Sequence, residues 1–360
     1  MKHAYYKRLI IGAAWGAVVM LWLCAASVYV NPSYCSYMGV VGLAFPFFVA
    51  LVILMQIVTL IFIPRRAWVP LLGLCGCFFS LRSYCPVNVP CAPPKGALMV
   101  ISYNVNGFAA DTKDADGQNV ICAYALRHNP DIICMQEARA WPTIYETDVE
   151  PVLRRQLAYT DTMNFASSTL AIFSRHRILT KKRVCDTGSP NGVADFLLLI
   201  GPRDTLHVIN CHFESMHLSQ TDRQQYHEMV ANPENSTPKS SSRMLISKIS
   251  SASVLRSRQV VITANYVERL LEAGKSVILC GDFNDTPISY THHRICATGL
   301  TDAYESTANG IGRSFNRDAI YVRIDNMFCS PDWKPYDCRV DDAIKESDHC
   351  PILSYFKRRK

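Results

Sequence analysis

The first 84 residues contain no aspartate and no glutamate. Their six basic residues (Lys2, Lys7, Arg8, Arg65, Arg66 and Arg82) therefore stand uncompensated, and they account for most of the formal charge of +7. Of the 37 Lys+Arg, 31 lie beyond Tyr84 against all 30 acidic residues, so positions 85–360 carry only +1. That near-neutral balance gives no support to a surface built for a polyanion, for which clustered Lys and Arg are the expected footprint. Also missing are an HExxH pair, a CxxC pair with zinc spacing, a GxxxxGK[ST] loop and a GxSxG elbow. Their absence leaves zincin, zinc-finger, P-loop and serine-hydrolase readings without a motif.

The acid-free region holds long apolar runs. Leu9–Val30 has 22 residues without a charge and Gly39–Ile63 has 25, each more than the roughly 20 needed to cross a bilayer core. Ala67–Leu81 is shorter, at 15 residues before Arg82, so residues 1–84 read as a membrane anchor with two or three transmembrane helices. A cleaved signal peptide competes for the first run, but a signal core spans only about 7 to 15 apolar residues. Buried helices of a soluble domain are the other alternative. Lys2, Lys7 and Arg8 place the N-terminus on the cytoplasmic side, and Arg65-Arg66 returns there. A third crossing then puts the remaining chain outside, and its absence keeps it inside. The expectation is a bacterial inner membrane with the large domain on its periplasmic side.

Residues 85–96 form a Pro-rich linker in which Cys85 and Cys91 are spaced for a local bridge in an oxidising compartment. From Ala97 on, short Ile/Val/Leu/Phe runs recur, among them Leu98–Tyr103, Ile132–Met135, Leu206–Asn210, Val277–Cys280 and Ile324–Cys329. Runs of this length read as strands, and Gln118–His128 and Ala264–Ala273 read as helices. Cys134, Cys211, Cys280 and Cys329 fall inside strand runs as small core hydrophobes. Positions 97–360 are thus expected to form a layered α/β (α+β) domain. Residues 217–263, polar and Ser-rich, break the rhythm and read as a surface insertion with a solvated basic face, or as a lid.

The polar residues fall at the ends of these runs: VISYNVNG, DIICMQE, VINCHFES, VILCGDFND, RIDNMFCS and KESDHCPI. Side chains mounted on neighbouring strand ends make a rigid polar cleft. Glu137, Asn104 and Asp348 are hard oxygen donors suited to Mg²⁺ or Mn²⁺. His212, Asp282, Asn284 and His349 supply proton-transfer and hydrogen-bonding groups. Phosphate ester hydrolysis needs this combination of a cation, a group that activates water and a group that assists the leaving oxygen. Singly, each residue has a plain reading: Asn104 as a turn residue, Asp348 as a helix cap, His212 as a core histidine, Asp325 as a partner of Arg323. His207, His217, His292 and His293 read as ordinary surface or insertion residues.

In order along the chain, YNVNG (103–107), QE (136–137), NxH (210–212), GDFN (281–284), RIDN (323–326) and SDH (347–349) resemble the endonuclease/exonuclease/phosphatase superfamily over roughly residues 97–356. The resemblance implies a four-layer sandwich, two packed mixed β-sheets flanked by helices, here preceded by transmembrane helices. It implies that Glu137 is the principal metal ligand with Asn104 beside it, and that Asp282 activates or orients water. It further implies that Asn284 binds phosphate, that His212 assists the leaving group and that Asp325 orients His349. Asn106 stands where several relatives have aspartate, which bears on a second metal position, and Arg313, in GIGRSF, lies where relatives contact substrate. His212 replaces a tyrosine frequent in abasic-site endonucleases and points away from that branch. The expected activity is metal-dependent hydrolysis of phosphate mono- or diesters at a membrane, with a lipid head group among the candidate substrates. A nuclease and a non-catalytic binding domain are the alternatives.

Overall fold

Alternation decides where each strand points. In β1 (Leu98–Asn104), Val100 faces one way while Met99, Ile101 and Tyr103 face the other, and both sets are buried. A strand covered on both sides needs a layer on each. The computed structural model describes residues 2–109, 111–138, 144–166, 168–216, 239–317 and 321–359. Within them β1 joins β2 (Ile132–Gln136), β3 (Tyr159–Asn164), β4 (Thr169–Ser174), β11 (Trp333–Val340) and β12 (Ile352–Arg358) in a sheet of order β11-β12-β1-β2-β4-β3. The second sheet, β5-β6-β7-β8-β10-β9, is built from Arg177–Cys185, Val193–Leu199, Thr205–His212, Val277–Asp282, Asp325–Cys329 and Thr301–Asp302. Both sheets are mixed: β1 and β2 run parallel, as do β7 and β8, among antiparallel neighbours.

The sheets pack face to face. Val100, Ile132, Cys134 and Ile172 from the first meet Phe196, Val208, Ile278, Cys280 and Met327 from the second. Numbering helices from the N-terminus, α1 is Lys2–Ala26, α2 Met38–Leu43, α3 Phe45–Phe62, α4 Trp68–Gly76, α5 Phe78–Tyr84 and α6 Val120–Arg127. The helix α6, capped by Asn119, covers the outer face of the first sheet with Ile121, Tyr124 and Ala125. A 34-residue helix, α7 (Lys239–Glu272), covers the second with Val260, Ala264 and Val267, and Gly274 at φ +66° follows its end. The result is the expected four-layer sandwich.

The stretch read as an insertion divides in two: residues 217–238 lie outside the described residues, while 239–263 belong to α7. The expected solvated basic face is corrected at Arg256, which is buried, its Nε 3.3 Å from Asp285 Oδ2 and its Nη1 donating to Glu214 O at 2.8 Å. His292, on α8 (Tyr290–Cys296), is likewise no surface residue. It is buried with Nε2 2.9 Å from Asp302 Oδ2. His207 bonds Asp195 at 2.7 Å, His293 packs against Tyr29, and His217 lies outside the described residues.

At the N-terminus, α1 and α3 are long and apolar enough to cross a membrane by length and composition. The third apolar stretch forms α4 and α5, broken at Cys77, and lies along α1: the Trp22 indole donates to Gly73 O at 3.0 Å. One end of this bundle is joined to the sandwich. Asn31 donates to Tyr290 Oη at 3.3 Å, Ser33 and Ser257 hydroxyls lie 2.9 Å apart, and Gly42 meets the Ile288 carbonyl so closely that a Cβ would collide with it. The buried Arg323 donates to Ser83 O at 2.7 Å while its guanidinium lies 4.0 Å over the Tyr304 ring. The linker is docked as well, with Asn88 donating to Glu305 O and Ala308 O on and after α9 (Ala303–Thr307). Cys85 and Cys91 are both free and exposed, so the local bridge is not formed.

Candidate active site

The strand ends deliver their polar residues to one edge of the sandwich. β1 and β2 run in register from Val100↔Ile132 to Asn104↔Gln136, which sets Asn104 beside the residue that follows, Glu137. β7 and β8 do the same in the other sheet, with His212 opposite Asp282, and β10 returns Asp325 to the other side of Asp282. The glycine of GDFN is what lets β8 lie so close to β7. Gly281 has φ +138°, and any Cβ there would run into the Cys211 carbonyl.

Asn104 is the bridge between the sheets at this edge. Its Nδ2 donates to Glu137 Oε1 at 3.1 Å and to Asp282 Oδ2 at 3.1 Å, and its Oδ1 accepts the Asn106 N–H at 3.2 Å. His212 Nε2 lies 3.6 Å from both Glu137 Oε1 and Asp282 Oδ2. His349 Nε2 lies 3.5 Å from Asp282 Oδ2, while its Nδ1 is 2.8 Å from Asp325 Oδ2. The Asn284 N–H donates to Asp282 Oδ1 at 2.8 Å, and its side chain donates to Phe213 O at 3.0 Å. Asn284 and Glu137 both sit at positive φ, +50° and +52°, directly after the strands that present them. Strain of that kind at two neighbouring polar residues is characteristic of functional sites.

Burial pushes the Asp282 carboxyl up, although His349 and His212 pull against it. Burial alone would lower His349, yet the Asp325 and Asp282 carboxylates overcome it and lift the imidazole to about 10. Glu137 differs from these buried groups: its side chain is 40% exposed, opening the cluster to solvent.

The other sequence candidates lie further out. Asp348 is half-buried, and its carbonyl rather than its carboxylate is engaged, accepting the Asn316 N–H at 2.9 Å. Asn106 is exposed at the mouth at φ +40°. Arg313 donates to Phe315 O at 2.9 Å and lies over the Tyr321 ring, and Phe315 in turn packs on His349 with ring centres 5.3 Å apart. Arg313 also borders a hollow shared with Arg317, Lys345 and Cys350.

Several residues that hold the site are not among the sequence candidates. Ser168 Oγ sits 3.2 Å from His212 Nδ1, and Asn191 Nδ2 3.3 Å from its Nε2. Ser314 Oγ accepts the N–H groups of both Ile324 and Asp325, and Ser347 Oγ donates to Asn104 O at 2.7 Å. Between the sheets, Gln136 and Asn210 are joined side chain to side chain. Both belong to quoted motifs, but their roles are structural and invisible until the sheets are stacked.

The donor set fits a hard divalent cation. Ligand atoms of Asp282, Asp325 and His349 lie within 4.8 Å of one another, the buried Asp325 Oδ1 has no hydrogen-bond partner, and the open Glu137 carboxylate adds another oxygen. Among the described residues, no cysteine joins this ligand group.

Residues 7–84 match a Domain of unknown function (DUF8431). The human Nocturnin catalytic domain with bound sulfate superposes with a TM-score of 0.52 at 14% identity, covering 74% of this chain and 97% of that one. Truncated Caenorhabditis elegans TDP2 gives 0.49 at 16% identity, covering 72% and 98%. An AP endonuclease from Archaeoglobus fulgidus gives 0.47 at 15%, covering 72% and 99%. No curated protein matches the sequence. At 14% identity the likeness to the Nocturnin domain speaks only for a shared fold. Residues 101–349, which contain all six motifs from YNVNG (103–107) to SDH (347–349), match the Endonuclease/Exonuclease/phosphatase family itself, so the chain belongs to that family of phosphoester hydrolases.

Proposed function

We propose that the chain hydrolyses phosphate mono- or diesters with water activated in this cleft, using a divalent cation, while its first 84 residues hold it in a membrane. The observation that carries the reading is the convergence of Asn104, Glu137, His212, Asp282 and His349, from five separate places in the sequence, within reach of one another. A Mg²⁺ or Mn²⁺ ion held by Glu137 and Asn104, with Asp348 at the rim, would neutralise the non-bridging phosphate oxygens.

The remaining chemistry falls to the protein. The backbone N–H of Asn284 engages Asp282 Oδ1, leaving Oδ2 directed toward Asn104 and the two histidines, where it accepts the proton of the attacking water. Asp325 fixes Nδ1 of His349 as the donor, so Nε2 faces the cleft and stabilises charge that develops on phosphate. His212, held by Ser168 and Asn191, stands on the opposite side of Asp282 and serves the leaving oxygen. Asn284, Asn106 and Arg313 would serve as phosphate contacts.

The membrane reading rests on the helical bundle. Only 28% of the α1 span and 17% of the α3 span are buried, which does not suit core helices of a soluble domain. Lys7 and Arg8 lie near the start of α1 and Arg65-Arg66 follow α3, so these charges gather at the end of the bundle away from Asn31, Ser33 and Ser83, which touch the sandwich. With α4 and α5 as a third crossing, the positive-inside tendency puts the catalytic domain on the outer side.

The full chain, assayed in detergent against aryl phosphodiester and phosphomonoester substrates, is expected to turn over one of them with Mg²⁺ or Mn²⁺ and to stop on chelation. Turnover unaffected by chelation would refute the metal-dependent mechanism.

A further inference from the structure

A groove of about 750 Å³ runs between the loop that follows α1 and the first half of α7. It is lined by Ser36 and Tyr37 from the loop and by Arg243, Ile246, Leu255 and Arg258 from the helix. Nothing in the proposed chemistry uses it. We propose that it takes head groups of anionic phospholipids, laying the first half of α7 on the surface of the membrane that holds α1 and α3; this rests on the anchoring read above.

Charge is the first argument. Residues 239–267 contain no acid at all. Arg243 and Arg258 are exposed, and no carboxylate among the described residues pairs with either. Fifteen positions apart on one helix, at about 1.5 Å per residue, the two guanidinium groups belong to sites roughly 22 Å apart. One small anion cannot bridge that span, whereas a row of lipid phosphates can, and arginine suits phosphate by its paired donors.

The second argument is the company these arginines keep. Met244, Ile246, Leu255 and Ile262 are exposed at 47%, 37%, 38% and 41% on the same helix. Basic and apolar residues side by side, without acids, are the composition of helices that lie in the interfacial plane. Continuity with the anchor is the third. Ser257 meets Ser33, and Gly39 packs so closely on Ser253 that a side chain would not fit. Tyr29, Tyr34 and Tyr37, exposed at 72%, 89% and 63%, ring the same end of the bundle, as aromatic residues do at a bilayer interface.

The test is depth-dependent fluorescence quenching by brominated lipids in nanodiscs holding the full chain. Leu255→Trp is compared with Lys275→Trp, placed just before β8 at the far end of that strand from Asp282. Bromines near the head groups are expected to quench the emission added by Leu255→Trp about twofold more than that added by Lys275→Trp in anionic bilayers. Adding Arg243→Glu and Arg258→Glu should erase the difference. Equal quenching at the two positions would overturn the proposal, and if the emission instead shifts as a dimer is diluted, the groove belongs to a second copy of the chain. The native Trp15, Trp22 and Trp68 report the anchor separately. Deep bromines that quench them while Leu255→Trp behaves like Lys275→Trp sink the groove alone, whereas no deep quenching sinks the anchoring read and the groove with it.

Discussion

Gln136 Nε2 donates to Asn210 Oδ1 at 2.7 Å, from the last residue of β2 across to β7, wholly buried between the two sheets. Asn210 goes on to donate to Met135 O and Ala171 O, and Gln136 to Ser102 Oγ. A polar link in that position sets how the sheets are aligned one residue short of Glu137 and two short of His212. Replacing Asn210 with leucine strands the Gln136 amide in an apolar layer, and the expected loss is about 1–3 kcal/mol. The double variant Gln136→Leu/Asn210→Leu should cost less than the two single losses added together, because neither partner is then left unmatched. Urea titrations of the four proteins in one detergent would measure this, and strict additivity would show that the link carries no coupling.

Glu137→Gln keeps the size of the side chain and removes its charge at the open side of the cleft. Metal-dependent turnover of an aryl phosphodiester is expected to fall at least about 100-fold, with an unchanged circular dichroism spectrum. Wild-type activity in this variant would displace Glu137 from the ligand set.

Asp325→Asn leaves the His349 hydrogen bond possible but removes the charge that orders the imidazole. The expectation is a drop in kcat of about 100-fold with KM little altered, because the group acts through His349 rather than on substrate. A loss confined to KM would assign Asp325 to binding.

Stability should also answer to pH through His292. Burial alone would lower this imidazole, but Cys296 and the Asp302 carboxylate overcome it and raise it to about 10. A histidine whose folded value exceeds its unfolded one contributes fully below about pH 6.5, and the contribution drains away as pH climbs toward 10. Asp302, held below its ordinary value, contributes above the unfolded carboxyl range and loses that only in acid. Thermal unfolding of wild type and His292→Gln between pH 6 and pH 10 is expected to converge by at least about 1 kcal/mol. A constant gap would show that the pair does not titrate in this window.

An alkaline phosphatase fused after residue 90 is expected to be active in a bacterial host, because the three crossings proposed above would carry position 90 to the outer side. An inactive fusion would return the domain to the cytoplasm.

Much of this was legible beforehand because carboxylates, amides and histidines stop apolar runs abruptly at Asn104, Glu137, His212 and Asp282, and strand ends are where a sheet can present them. The two-sided burial of β1 and β8 likewise follows from runs with no polar alternation. The supports were not legible. Ser168, Asn191, Ser314 and Ser347 are common loop residues whose partners lie far away in sequence, and Arg256 looked solvated because its counter-charge, Asp285, is 29 positions on. The same blindness applied to His292, which needed Asp302 to be seen as interior.

Arg323 ties the end of the N-terminal helical bundle to β10: its guanidinium reaches the Ser83 carbonyl, and two residues later comes Asp325. Trimming the chain to positions 97–360 would take away that carbonyl, together with the docked Asn88, and leave the buried guanidinium to the Tyr304 ring and to the Asp302 carboxylate 3.9 Å away. Shortened versions, attractive because they dispense with detergent, should therefore be softer around Asp325 and His349 than the whole protein. Poor turnover by such a fragment would reflect a missing buttress and says nothing against the chemistry of the cleft.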